Sequence, residues 1–498
     1  MIKKFFLLMA IVLLTMPAMG SGAESVSKVN ISVDARLQTV QGWGVSLCWW
    51  AAQAGNWTEE QQDEIVDWLV SPEGLNYNVF RYNIPAGDDP DHANCYPRHL
   101  ARGKGLRTEM NGFVKYRPAN DKDHTTWKYD WDADKAQLSI LRKVVARCRY
   151  YGKEPIIEAF SNSAPWWMTV SGCASGSDNG TDTNVKREYY AAFADYIMDV
   201  CKYLESQGIA KVHSIAPFNE PTTDYWKRNG GQEGCGFENA EQVVFINKFL
   251  YPALTKSGLS AVISASDETF PGKSMHTLET YMNDGEVLSK VGQWNTHTYS
   301  SRIHTTNAVR TTLREAVAAQ NKPLWMSETG EGRFGIDGNL ALARIMFDDL
   351  RYLQPVVWCD WQAMEANDQW CLITCSGNQN RYATPYHRNK NYYLRQQVTR
   401  FIKPGYQLVS TDNDDVIAAI NPGNDELVVC ILNQGAEIAC YDLAGITREW
   451  KGRGVLNTAV FYTDKTHDCS SDASFDNLAN VTCPAKSITT IVLSAEKE

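Results

Sequence analysis

The feature that most limits the possible folds of this chain is a series of eight short apolar or aromatic segments. They cover residues 41–49, 78–86, 155–162, 213–221, 261–268, 293–300, 324–330 and 355–364. Most are separated by longer, more polar segments with helical periodicity, such as 136–151 and 188–204. Eight strand–helix alternations predict an α/β fold whose main body is a closed parallel (β/α)8 TIM barrel. An open doubly wound sheet is the alternative, but it ordinarily binds a nucleotide through a glycine-rich first turn, and no such motif follows an early segment.

The pattern changes after about residue 401 to short alternating segments separated by Asn-Pro-Gly and Asn-Gln-Gly turns, which is typical of an antiparallel β-sandwich. The alternating segments are 416–420, 426–433, 438–443, 458–463 and 488–494. The stretch 29–40 also alternates in part, so we expect it to add a strand to the same sandwich. The predicted organisation is residues 23–40 as N-terminal strand, 41–400 as barrel and 401–498 as sandwich.

The N-terminus has the pattern of a cleaved signal peptide, which we assign to residues 1–22. Lys3 and Lys4 precede an apolar run at 5–14 that is too short to span a bilayer, and small residues follow it. We therefore expect a secreted or periplasmic protein without stable membrane insertion. The net charge of −10 argues against nucleic acid as a partner and is compatible with a neutral polysaccharide or oligosaccharide. We expect a monomer.

The thirteen cysteines leave two interpretations open. In an exported chain some of them can form disulfides, and Cys371 with Cys375, or Cys469 with Cys483, are close enough in sequence to pair locally. Several of the cysteines lie in apolar segments, however, where a free thiol behaves as a small hydrophobic residue.

Two glutamates carry the strongest functional signal. Glu220, between Asn219 and Pro221, follows the fourth segment, and Glu328 ends the seventh. In a barrel the C-terminal ends of these strands face a common mouth, so the two carboxyl groups can converge on one bond. A pair of carboxyl groups is what hydrolysis of a glycosidic bond requires.

Tryptophans at or near predicted strand ends suggest a surface on which sugars stack, since sugar C–H groups pack on aromatic rings. An individual tryptophan in such a position can equally belong to the core. We take four as candidates for substrate binding: Trp49, Trp166, Trp226 and Trp361.

The first segment, Gln41-Gly-Trp-Gly-Val-Ser-Leu-Cys-Trp-Trp50, together with the two glutamates, resembles glycoside hydrolase family 30. The resemblance extends over almost the whole mature chain. Within the family it is closest to the endo-β-1,6-galactanases, because of the segment from Asn219 to Trp226 and the following Gly231-Gln-Glu-Gly-Cys235. The resemblance implies a retaining double displacement, with Glu220 as general acid/base and Glu328 as nucleophile, acting on β-1,6-linked galactan such as arabinogalactan side chains.

Four further residues are candidates for the same site. We expect Asn219 to bind the sugar hydroxyl next to the reacting carbon, or else to cap the following turn. Arg81 could hold Glu328 ionised or be structural. His297 and Tyr299 alternate on one strand, so both can orient a carboxylate or contact sugar, although His297 could also be a structural histidine. No metal site and no cofactor is expected, because the histidines lack the spacing of a ligand set.

Two alternatives to galactan hydrolysis remain. The same mechanism could act on another sugar: β-1,6-glucan, xylan, or a β-linked glucosyl, fucosyl or galactosyl unit. The barrel could also serve a non-catalytic carbohydrate-binding protein, since fold alone does not guarantee activity.

Overall fold

The computed structural model describes residues 26–87, 89–91, 111–228, 230–299, 305–376, 383–446, 455–472 and 477–495. The predicted signal peptide at 1–22 lies outside these ranges and stays a prediction. In the part of the chain that is described, no helix combines the length and the apolarity needed to cross a membrane.

Eight parallel strands close into a barrel in chain order, with the eighth strand paired to the first. This confirms the predicted barrel, and each of the eight apolar segments overlaps one strand. The barrel strands, numbered one to eight below, are Gly42–Ser46, Val79–Asn83, Ile156–Phe160, Val212–Ala216, Val262–Glu268, Val291–His297, Leu324–Glu328 and Val357–Gln362.

Helices follow the strands and cover the outside of the barrel. The α-helices are Ala51–Ala54, Glu59–Val70, Lys135–Tyr150, Tyr190–Ser206, Asn239–Phe245, Tyr251–Ser257, Pro271–Met282, Gly285–Lys290, Asn307–Ala319, Gly335–Asp348 and Lys390–Thr399. Single π-turns at Ile246–Leu250 and Asp349–Leu353 and short 3-10 turns at His124–Thr126, Trp166–Met168 and Arg187–Tyr189 complete them.

The second strand illustrates how alternation divides the barrel residues between two environments. Phe80 and Tyr82 are fully buried in the large apolar cluster between strands and helices. Val79 instead belongs to a small separate cluster with Trp325 and Val357 in the barrel interior. Arg81 lies two residues after Val79 and therefore on the same side of the strand, so the alternation directs its charged side chain inward, above that small apolar cluster.

The C-terminal region forms the predicted antiparallel sandwich. Its seven-stranded sheet runs, in spatial order, Ser470–Ser471, Val455–Thr463, Ser487–Ala495, Glu426–Asn433, Val416–Ile420, Gln407–Thr411 and Ile31–Thr39. The last of these is the expected N-terminal strand, antiparallel to Gln407–Thr411. A second sheet of Ser27–Lys28, Ala439–Asp442 and Val481–Cys483 shares an apolar core with it. The short strands Met364–Glu365, Ile373–Ser376 and Ala383–Arg388 form a third sheet beyond the eighth barrel strand.

Both faces of the seven-stranded sheet are buried. Val416 and Ala418 contribute to the apolar core of the sandwich, while Ile417 and Ala419 between them join the cluster that includes the barrel helices. The sheet is therefore packed on two sides, which explains why Val416–Ile420 is apolar at every position.

Among the twelve cysteines of the described ranges, Cys371, Cys469 and Cys483 are free thiols, and all twelve but Cys469 are buried. The two disulfides considered from sequence are therefore not formed. Cys469 packs against the large cluster that includes the barrel helices, whereas Cys483 lies in the sandwich core, so the two belong to different apolar cores. The interpretation of these cysteines as small hydrophobic residues is the correct one.

Candidate active site

Glu220 and Glu328 meet at the C-terminal end of the barrel. Strand seven ends at Glu328, whereas strand four ends at Ala216 and Glu220 follows in the adjoining loop. One carboxylate oxygen of Glu220 lies within 4.8 Å of one of Glu328. Both residues are almost fully buried, with 4% and 3% of their surface exposed, and both line one pocket.

Arg81 anchors Glu328. Its Nη1 donates to Glu328 Oε2 at 3.0 Å, its Nε donates to Glu158 Oε1 at 2.8 Å, and its Nη2 donates to Asp267. The guanidinium also lies over the ring of Phe160, with 4.2 Å to the ring centre. A single buried cation thus serves three carboxylates, and its contact with Glu328 is the one expected from sequence.

Glu158 and Asp267 were not identified from sequence. Glu158 accepts hydrogen bonds from Ser214, Ser264, Gln293 and Asn295 in addition to Arg81, so it is fully satisfied in the barrel interior. Burial acts to raise the pKa of Asp267, but the positive charges of Arg81 and His297 outweigh it and hold that pKa well below the usual range.

His297 lies between three carboxylates. Its Nδ1 is 3.2 Å from Glu220 Oε1 and 3.6 Å from Glu328 Oε1, and its Nε2 is 3.1 Å from Asp267 Oδ1. Burial alone lowers the pKa of His297, but the charges of Glu328 and Asp267 and the hydrogen bonds of its ring raise it to about 10. The ring is therefore an imidazolium that donates on both sides.

Glu220, His297 and Glu328 are also the group of side chains, among those described, that is close enough to share a metal ion. A histidine ligand must be neutral, however, and here both ring nitrogens face acids as donors. The donor set therefore suits a bound proton better than a metal ion, and the expectation of a metal-free site stays a prediction.

The surroundings of Glu328 act on its pKa in opposite directions. Burial raises the pKa of Glu328 to about 7; the charge of Glu220 adds to the rise, while His297 and Arg81 oppose it. Arg81 contacts Glu328 and not Glu220, so the guanidinium charge acts directly on the carboxylate of Glu328.

Each glutamate has a tyrosine partner. Tyr299 Oη donates to Glu328 Oε1 at 2.7 Å, in agreement with the expected orienting role. Tyr225 Oη donates to Glu220 Oε2 and had not been singled out from sequence. Tyr225 is 45% exposed at the pocket rim, so its phenol holds the acid from the solvent side.

The backbone of Glu220 is held in a conformation that L-residues rarely adopt, with φ at 48°. Its N–H donates to Asp267 O at 2.8 Å, and Trp226 Nε1 donates to its carbonyl at 3.0 Å. Trp226 is 3% exposed, so the structure places it behind the acid as a support. Asn219 is equally buried, and its Oδ1 has no hydrogen-bond partner among the described residues.

The pocket has a volume of about 340 Å³. Trp361 lines it as expected, whereas Trp49 lies beneath Trp361 in an edge-to-face contact at 6.3 Å and does not line it. Trp166 lies outside the pocket lining, next to Trp167.

Three further residues of the pocket lining come from the end of strand eight and the segment after it. Gln362, two residues past Asp360 on strand eight, lines the pocket, and its Nε2 donates to Glu365 Oε2 at 2.9 Å. Glu365 and Trp370 also line it but were missed, because they follow strand eight in a segment without strand or helix periodicity.

Comparisons with known proteins identify the family of the chain. Residues 26–314 match the model of O-glycosyl hydrolase family 30. An endo-beta-1,6-galactanase from Hypocrea rufa is 28% identical over 428 residues, which cover 84% of each chain. An exo-beta-1,6-galactobiohydrolase from Bifidobacterium longum is 26% identical over 447 residues, which cover 70% of this chain and 28% of that longer protein.

Solved structures share the fold. A conserved exported protein from Bacteroides fragilis aligns with a TM-score of 0.76 at 19% identity, covering 94% of this chain and 100% of that one. The catalytic domain of the family 30 xylanase C from Talaromyces cellulolyticus aligns with a TM-score of 0.70 at 16% identity, with the same coverage. The family match spans more than half of the chain and confirms the resemblance seen in its sequence, so this protein is a glycoside hydrolase that belongs to O-glycosyl hydrolase family 30.

Proposed function

We propose that this protein hydrolyses β-1,6-linked galactan by a retaining double displacement, with Glu220 as general acid/base and Glu328 as nucleophile. The observation that carries the mechanism is the approach of the two carboxyl groups to within 4.8 Å. Retaining enzymes hold this pair about 5 to 5.5 Å apart, whereas inverting enzymes separate it by roughly 6.5 to 9.5 Å to admit a water molecule.

In the first step, Glu328 attacks the anomeric carbon while Glu220 gives its proton to the departing glycosidic oxygen. The contacts with Arg81 and Tyr299 favour the ionised nucleophile, and His297 bridges the acid and the nucleophile. In the second step, Glu220 takes a proton from a water molecule that attacks the same carbon, and the bond between sugar and Glu328 breaks.

Galactan is supported by the galactan-degrading relatives, above all the endo-beta-1,6-galactanase that matches 84% of this chain. The formal charge of −10 and a pocket lined by three glutamates suit a neutral polysaccharide. β-1,6-Glucan is the second candidate, because an endo-1,6-beta-D-glucanase from Trichoderma harzianum is 26% identical over 263 residues, covering 50% of this chain and 48% of that one.

One experiment tests linkage and stereochemistry together. The purified enzyme is incubated with β-1,6-galactan, β-1,6-glucan and xylan, and the products are followed by mass spectrometry and by anomeric NMR at early times. We expect β-configured galacto-oligosaccharides as the first products. Initial release of the α-anomer would refute retention, and turnover confined to glucan or xylan would refute the substrate.

We also propose that the chain is exported, on the basis of the signal-like residues 1–22. N-terminal sequencing of the protein recovered from culture medium or periplasm tests this. A mature N-terminus close to residue 23 is expected, and recovery of the intact N-terminus from the cytoplasm would contradict export.

A further inference from the structure

We propose that Trp370 is the aromatic face on which the bound sugar stacks, and that residue 330 is glycine because Trp370 must lie directly over it. The inference rests on the proposed function only in requiring that a sugar binds in the pocket. It assigns a binding role to Trp370 and a positioning role to Gly330. Trp370 lies outside the segments that signalled the catalytic pair, and Gly330 ends the segment 324–330 that contains Glu328.

The first observation is the place of Trp370 in the pocket. It lines the same cavity as Glu220 and Glu328, and its ring centre lies 6.2 Å from that of Tyr299. Tyr299 in turn donates to the nucleophile. The pocket therefore places a partly exposed indole beside its carboxyl groups, which is the combination that a pyranose requires: C–H groups against a ring and a reactive carbon against an acid.

The second observation is the space above Gly330, two residues past Glu328. A Cβ atom at this position would lie 2.6 Å from Trp370 Cε3 and 3.1 Å from its Cζ3. The indole is the nearest obstacle, and the ring of Tyr299 follows at 3.5 Å. Any side chain at position 330 would therefore push Trp370 away from the nucleophile loop and into the cavity.

Backbone conformation does not explain this glycine. Gly330 is absent from the glycines with positive φ, so alanine could adopt its conformation without strain. Gly332 shows the same relation in weaker form, because its Cβ would lie 3.2 Å from Trp370 Cζ2, a distance that a small shift relieves. The Gly-Glu-Gly sequence at 330–332 is thus explained by the approach of one tryptophan.

A double-mutant cycle tests the inference. Gly330→Ala, Trp370→Ala and the combined variant are compared by KM and kcat on β-1,6-galactotetraose, with melting temperatures as the check on folding. Gly285→Ala serves as the matched control, because a Cβ there meets nothing within 4 Å. We expect Trp370→Ala to raise KM about tenfold or more, with a smaller effect on kcat, as for truncation of a buried aromatic contact.

The decisive result is the coupling between the two positions. Gly330→Ala should raise KM several-fold in the natural background and add nothing once Trp370 is absent. An equal cost of Gly330→Ala in both backgrounds, or an unchanged KM for Trp370→Ala, would overturn the inference. Trp370→Phe should give an intermediate KM, and it replaces Trp370→Ala in the cycle if that variant does not fold.

The choice of substrate keeps this test separate from the galactan proposal. If the unmodified enzyme does not hydrolyse β-1,6-galactotetraose, the substrate proposal fails, and the same cycle is run on the β-1,6-gluco-oligosaccharide. The coupling between Trp370 and Gly330, measured on that substrate, then tests the stacking role by the same criterion.

Discussion

Two regions of this molecule are equally buried and chemically opposite. The upper interior of the barrel holds Arg81, Glu158, Asp267 and His297 without measurable exposure. The core of the sandwich is built from valine, isoleucine and leucine side chains such as Leu427. The first region costs desolvation free energy that its ion pairs must offset, whereas the second gains free energy from burial alone.

The contrast separates the two tasks of the chain. The charged interior holds the two carboxyl groups of the site across one pocket, whereas the sandwich contributes no described side chain to that pocket. Substitutions in the charged interior should therefore change activity, whereas substitutions in the sandwich core should change stability alone, which the following predictions test in order of decreasing effect.

Glu328→Gln should give the largest loss. Without a nucleophilic oxygen anion, kcat should fall by about 10⁴-fold or more. Stability should stay the same or rise, because the substitution removes a buried charge that faces Glu220. Hydrolysis assays check the loss of kcat, and thermal unfolding checks the stability. Retained turnover would exclude Glu328 as the nucleophile, and a large loss of stability would mean that the charged interior also holds the fold together.

Glu220→Gln should reduce hydrolysis of galactan by about 10² to 10⁴-fold, since the departing oxygen is no longer protonated. A substrate with a leaving group of low pKa, such as a dinitrophenyl glycoside, needs no such proton in the first step and should be affected far less in the rate of glycosyl-enzyme formation. Burst kinetics on both substrates measure the difference. An equal loss on both would contradict the role of acid.

Arg81→Met and Leu427→Ala form a pair that compares the two buried regions directly. Removing Arg81 leaves three carboxylates without their shared cation and should cost about 3 to 5 kcal/mol of stability together with most of the activity. Leu427→Ala should cost about 2 to 5 kcal/mol through the cavity it leaves, with kcat unchanged at temperatures where the protein is folded. Urea unfolding gives the loss of stability of each variant, and kcat measured on the same samples gives the loss of activity. Loss of kcat in folded Leu427→Ala would show that the regions are coupled.

The response to pH should also distinguish the regions. Activity should rise as pH rises through about 7, because Glu328, whose pKa burial raises to about 7, must be ionised to act as the nucleophile. The stability contributed by protonated His297 is fully present below about pH 6.5 and is lost as pH rises towards about 10. In His297→Gln, the unfolding free energy should depend less on pH between about 6.5 and 10. An unchanged slope would show that His297 is neutral.

Tyr225→Phe should have the smallest effect. It removes one hydrogen bond to Glu220 at a solvent-exposed rim, worth about 1 kcal/mol, and should reduce kcat/KM less than about tenfold. A loss comparable to that of Glu220→Gln would instead make Tyr225 a participant in proton transfer.

The order of the elements could be predicted because strand–helix alternation is local, and two strands of the sandwich, Val416–Ile420 and Glu426–Asn433, were predicted to the residue. The site was only partly predictable. Glu220 and Glu328 stand at strand ends, which is a local signal, but the partners of Arg81 come from strands three and five and depend on tertiary closure.

Tryptophan was the least reliable signal. Trp49 follows the end of the first barrel strand, and Trp361 lies near the end of the eighth. Trp49 is nevertheless packed below Trp361, because a position near a strand end does not decide which side of the pocket wall a ring occupies. Trp370 was missed because its position depends on the loop after Glu328 and not on any periodicity of its own.

The left-handed backbone of Glu220 has a consequence for how this chain can change over time. A glycine at this position would relieve about 1 kcal/mol of backbone strain and would remove the proton donor in the same substitution. Selection for thermal stability would therefore favour glycine at residue 220, whereas selection for catalysis favours glutamate. The glutamate is retained only while the activity is under selection.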